Sequence, residues 1–231
     1  MRRLSVLCLL TATLSGAATA APLPEAAQAL AGRCGLAAWS QVDEIRYTFN
    51  VQSSRGETHR SWVWEPRTGR VTLTSPDATE EITYNHGGPP MSEGDPLRET
   101  DHRFINDKYW LLFPLHLAWD SGVTVTDDGP QPAPFGLGTL PSLTAHYGGE
   151  GGYTPGDSYQ LHLGEDGLPV AWTFRSGGEG EGRPMTWDGW SRLGPLLLSL
   201  DHTNPESGTR LWFTDVSATI GGEVVTPQPL E

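Results

Sequence analysis

The sequence predicts a mainly β protein: one curled antiparallel sheet, an incomplete barrel, with an N-terminal α-helix and a short central helix over its concave face. Three observations carry this. Period-two alternation recurs along the chain, as in Ile45, Tyr47, Phe49 and Val51 between Arg46, Thr48, Asn50 and Gln52. Turn signals separate the alternating runs, and 28 glycines and 19 prolines favour short strands over long helices. No strand–helix–strand alternation occurs, so a parallel sheet is not expected.

Residues 1–20 read as a secretory signal peptide. Arg2 and Arg3 precede the apolar run Leu4–Leu14, and Ala18-Thr19-Ala20 supplies small residues for cleavage. The run is too short to span a membrane, which takes about 20 apolar residues. The expected product is a periplasmic protein, or one released outside the cell. Its removal leaves 13 basic against 28 acidic residues, a formal charge of −15. Such a surface repels nucleic acid and anionic lipid headgroups, so neither nucleic-acid binding nor stable membrane insertion is expected. Cys34 is then the only cysteine, which excludes an internal disulfide and cysteine–zinc chemistry.

Residues 21–222 are expected to form the folded domain. Pro24–Gln41 is alanine-rich and interrupted by Gly32 and Gly35, which predicts a broken helix. Ile45–Gln52, Glu57–Glu65, Arg70–Thr74 and Thr79–Asn85 predict a meander, with Pro66–Gly69 as a type I turn. His86–Glu99 has loop composition. Thr100–Asn106 predicts a short helix capped by Thr100 and Asp101. Val123–Asp127, a Pro/Gly loop, and then Leu140–Gly148, Ser158–Leu163, Leu168–Arg175, Pro184–Arg192, Leu196–His202 and Thr209–Ala218 complete the strands, with Glu165-Asp166-Gly167 as a hairpin signal. Residues 223–231 read as a flexible tail.

The run Trp110–Trp119 (WLLFPLHLAW) is too short for a membrane span. Pro114 argues against a helix through all of it and against a central strand. The expectation is a helix end followed by an extended piece, buried at a sheet edge.

Aromatic side chains fall on one face of several predicted strands: Tyr47, Phe49, Trp62, Trp64, Tyr84, Trp172 and Phe174. A large sheet with little helix to cover it leaves room for an apolar cavity, and these residues are its expected wall, with Trp110, Leu112 and Phe113 closing one side. Asn106, Asp107 and Lys108, the only lysine, are the expected rim. The expected ligand is a lipid or an acylated molecule, held without catalysis and without a cofactor. An envelope sensor or interaction module of the same fold, with a protein partner, is the alternative. A third reading is a metal-dependent or acid–base hydrolase using Asp101, His102 and His116, with His86, Asp107 and Asp120 nearby. No nucleophile elbow, zinc-protease motif or phosphate loop is present.

The order of elements, with the hairpin ending in Trp64-Glu65-Pro66 and the stretch Asn106–Leu111 (NDKYWL), resembles the periplasmic outer-membrane lipoprotein carrier superfamily (LolA-like and LolB-like) and its exported uncharacterised members. The resemblance covers about Pro24–Ile220. It implies a half-barrel closed on one side by helices, with a cavity for acyl chains. Carriers place a basic residue before the proline of the early hairpin turn. Here Glu65 stands there, a departure that bears on lipoprotein carriage and leaves fold and apolar ligand untouched.

Overall fold

The computed structural model describes residues 22–74, 81–87, 91–92, 94–148 and 155–230. The expected signal peptide lies outside the described residues. The chain runs α1 (Glu25–Arg33), a 3-10 turn (Leu36–Gln41), β1 (Val42–Ser53), β2 (Gly56–Glu65), β3 (Arg70–Thr74), β4 (Ile82–Asn85) and α2 (Arg98–Trp119). Then follow β5 (Val123–Pro132), β6 (Thr139–Tyr147), β7 (Ser158–Leu163), β8 (Pro169–Arg175), β9 (Arg183–Thr186), β10 (Asp188–Leu193), β11 (Leu196–Asn204), β12 (Thr209–Ile220), β13 (Glu223–Val225) and β14 (Gln228–Pro229).

The fold is mainly β and antiparallel throughout, as expected, and open. It has two sheets rather than one. The larger runs β14-β10-β11-β12-β1-β2-β3-β4, with β13 paired to β12; the smaller runs β5-β6-β7-β8-β9. The division falls inside the predicted strand Pro184–Arg192. Its first half pairs with β8, and its second half pairs with β11. The corner is Trp187, 1% exposed, whose N–H donates to the Val170 carbonyl at 2.9 Å. A run that keeps its alternation through a corner gives no local sign of changing sheets. The last residues also differ from expectation: instead of a loose tail, β13 pairs with β12 and β14 with β10.

The larger correction concerns the central helix. It is not short: α2 spans 22 residues and passes straight through Pro114. Thr100 and Asp101 do not cap it. It begins one residue after Leu97, whose N–H is held by the Asp95 carboxylate at 2.8 Å. Leu111 to Leu117 are seven consecutive buried residues, so this part of α2 is enclosed on every side. Phe104 meets Trp62 and Trp64 of the larger sheet at 5.3 and 5.5 Å. Phe113 meets Tyr159 and Trp172 of the smaller sheet at 4.8 and 5.2 Å. The helix thus fills the space between the two sheets, and α1 packs against it.

Enclosure explains the tolerated proline. Pro114 has no N–H for the Trp110 carbonyl, a loss of about 3 kcal/mol in an ordinary helix. The ring of His202, fully buried on β11, lies 5.3 Å from the Trp110 ring. Packing by both sheets around Leu111 to Leu117 outweighs the local cost.

The β2–β3 turn is held by its own residues. Glu65 accepts from the Thr68 hydroxyl at 3.1 Å and sits 3.8 Å from Arg70. Gly69 closes it at φ 73°, and a Cβ there would lie 2.5 Å from the His86 carbonyl oxygen. Only glycine satisfies both conditions.

Candidate functional site

Three groups of polar and aromatic residues are built around α2. The first ties α2 to the larger sheet. Asp107 is fully buried and receives both arms of the Arg60 guanidinium at 2.7 Å, the Trp62 indole N–H at 2.8 Å and the Asn106 amide at 3.1 Å. Burial pushes its carboxyl above the ordinary value, against the pull of Arg60 and the other donors. The second lies nearby on the same helix. Asp101 Oδ1 is 2.8 Å from His86 Nδ1, and His86 Nε2 is 3.3 Å from Lys108 Nζ. Lys108 is 8% exposed and sits 5.2 and 5.5 Å over the rings of Trp64 and Phe104. Burial lowers its amine to about 8, with Asp120 and Asp101 opposing.

The third group stands at the C-terminal end of α2. Asp120 accepts from Tyr109 and Tyr147 at 2.6 and 2.8 Å, and its other oxygen is 2.8 Å from His116 Nδ1. Burial works to raise the Asp120 carboxyl, but the hydrogen bonds from His116, Tyr109 and Tyr147 hold it below its ordinary value. Burial pushes His116 down to about 4, so the ring is neutral near pH 7.

A half-enclosed cleft of about 420 Å³ opens between α2 and the smaller sheet. One wall is a stripe of α2: His102, Ile105, Asn106, Tyr109 and Trp110. Spacings of three and four put them on one helix face. The other wall is the inner face of the smaller sheet. Its register aligns Tyr159, Phe174 and Arg183 in one row, and Leu161, Trp172 and Met185 in the next. Asp157, and Thr209 and Leu211 of β12, complete the lining. The lining is mainly apolar and aromatic. Trp110 and Trp172 meet within it at 4.3 Å, their ring planes tilted by 57°.

Of the expected wall, Trp110, Trp172 and Phe174 line this cleft, and of the expected rim, Asn106 does. Tyr47, Phe49, Trp62, Trp64, Tyr84, Leu112 and Phe113 are buried in the core. Asp107 and Lys108 are enclosed in the groups described above. Asp101, His102 and His116 are divided among separate settings: Asp101 with His86, His116 with Asp120, and His102 on the cleft. Among the described residues no group of three His, Cys, Asp or Glu side chains could hold a metal ion. His102, Ile105 and Tyr109 went unrecognised as a lining stripe because the helix was expected to end early. Arg183 and Met185 carried a usable signal, the alternation of Arg183, Met185 and Trp187.

The class defined by these features is an open antiparallel half-barrel, filled by one buried helix, with an aromatic cleft beside that helix. No protein-family profile matches the chain, and no curated protein does. Solved structures do. One is a putative outer membrane lipoprotein-sorting protein domain from Vibrio parahaemolyticus, 12% identical, covering 86% of this chain and 93% of that one, TM-score 0.44. Another is a DUF1329 family protein from Desulfovibrio piger, 9% identical, covering 83% and 91%, TM-score 0.42. A third is a LolA superfamily protein from Nitrosomonas europaea, 10% identical, covering 82% and 92%, TM-score 0.41. At these identities the likeness concerns fold alone. No helix among the described residues is long and apolar enough to cross a membrane.

Proposed function

We propose that this chain is an exported, non-enzymatic binding protein whose cleft between α2 and strands β7–β9 holds an apolar or amphipathic ligand. Residues 1–20 act as its export signal, residues 21–222 form its binding domain, and the periplasm is its place of work. The observation that supports this most is the cleft itself: about 420 Å³, walled by Trp110, Tyr159, Trp172, Phe174, Met185 and Leu211. That volume lies in the lower part of the roughly 300–1,000 Å³ range of small-molecule sites, which suits one alkyl chain better than several. Burying such a chain gains about 0.8 kcal/mol per methylene. Asp101, Asp107, Lys108 and His116 of α2 are engaged in buried contacts and do not line the cleft, which favours holding a ligand over transforming it.

Titration with a fatty acid carrying an environment-sensitive fluorophore tests the proposal. Saturable binding with a blue-shifted emission is the expected result. Phe174→Asp places a carboxylate on the cleft wall at a half-buried position and should weaken uptake at least tenfold while the melting curve stays within a few degrees. Absence of uptake by the unaltered protein, or unaltered affinity in Phe174→Asp, would count against it.

A further inference from the structure

The smaller sheet gives the cleft a direction. In the deeper row, Trp172 is 2% and Met185 7% exposed; one row outward on the same face of β9 stands Arg183, which is exposed. Its guanidinium carbon lies 4.9 Å over the Phe174 ring, which holds the head group at the mouth. Among the described residues, that guanidinium has no hydrogen-bond or ion-pair partner. In a chain with 28 acidic and 15 basic residues, carboxylates are in excess, and seven other arginines hold one. Arg183 therefore keeps its planar fork of donors facing the entrance of an aromatic cleft. Such a fork matches a carboxylate or a phosphate through two parallel hydrogen bonds.

We propose that the cleft selects single-chain amphiphiles with an anionic head group, seated on Arg183 with the chain running inward past Phe174 to Trp172 and Met185. This rests on the ligand-binding reading above. Asp157 shares the lining, and one of its oxygens accepts the Gly177 N–H at 2.8 Å. Its charge disfavours a second negative charge on the ligand, so a monoanionic carboxylate is preferred to a more highly charged phosphate. Asn106, whose amide donates to Asp107, presents the facing helix wall at the same mouth.

Calorimetric titration with dodecanoate, dodecyl phosphate and dodecanol separates the possibilities. The unaltered protein should bind dodecanoate tightest, then dodecyl phosphate, with dodecanol about tenfold or more weaker than dodecanoate. Arg183→Gln should bring both anions down to the dodecanol level and leave dodecanol unchanged. Arg183→Lys should recover part of the preference, since an ammonium keeps the charge without the fork. Equal affinity for the three compounds in the unaltered protein would overturn the inference and leave ligand binding intact, as would an Arg183→Gln effect equal on all three or on none. Failure of the unaltered protein to bind any of them would remove the ligand-binding reading itself.

Discussion

Lowering the pH from about 6.5 to about 4 should cost the folded protein several kcal/mol of stability. His116 and His202 are both fully buried, and burial pushes each ring down to about 4. In the unfolded chain each titrates near 6.5. A base whose folded pKa lies below its unfolded value is protonated more readily when unfolded, so stability is fully present above 6.5. It falls through the interval, and this contribution is exhausted below about 4. The difference corresponds to about 3 kcal/mol per ring. The structural reason is direct: Nε2 of each ring has no hydrogen-bond partner among the described residues, so protonation buries an unpaired N–H together with a charge. His162, also lowered by burial, acts in the same direction. Urea midpoints between pH 7 and pH 4.5 measure the effect, and the variants His116→Leu and His202→Leu should each flatten the profile. A stability that stays level across that interval would contradict the account of both sites.

The second large effect belongs to Asp107. Asp107→Ala strands the Arg60 guanidinium and the Trp62 N–H against α2, and breaking a buried pair from one side costs about 3–5 kcal/mol. Arg60 is 22% exposed and recovers some hydration, so the expected loss is about 3 kcal/mol, at the lower end. The double variant Arg60→Met with Asp107→Leu should recover most of it, because apolar pairs of similar volume replace buried ion pairs at little cost. Denaturant midpoints report both. A loss below about 1 kcal/mol in Asp107→Ala would mean that α2 is not anchored to β2 through this pair. The setting of Lys108 is different in kind: its amine faces two rings and a histidine and ties the end of β4 to α2, with no ion pair among the described residues.

How much of this was legible follows from what each signal encodes. Alternation from Ile45 to Val51 marks a strand because its period is local, and the paired register of β1 with β2 and β12 agrees with it. Pro114 was misleading. A proline reports the cost of its missing N–H, but not the two sheets that enclose the helix. Once the helix was cut short, the 102-105-106-109 stripe could not be recognised as a face. The cleft was half visible for a related reason. Trp62 and Trp172 are the same residue on similar strands, and composition does not tell which indole packs on Phe104 and which lines a space. That distinction depends on where α2 lies. Asp107 illustrates the same limit. The pair with Arg60 joins residues 47 positions apart, and no spacing rule connects them.

The ligand's position is the central claim, and photo-crosslinking tests it most directly. A fatty acid with a diazirine near the end of its chain, irradiated in the presence of the protein and followed by peptide mapping, should label Trp110 and the strands carrying Trp172 and Met185, and free dodecanoate should suppress that labelling. Labelling concentrated instead on the outer groove around Trp190 and Trp212, or spread over the surface and indifferent to competitor, would contradict the account.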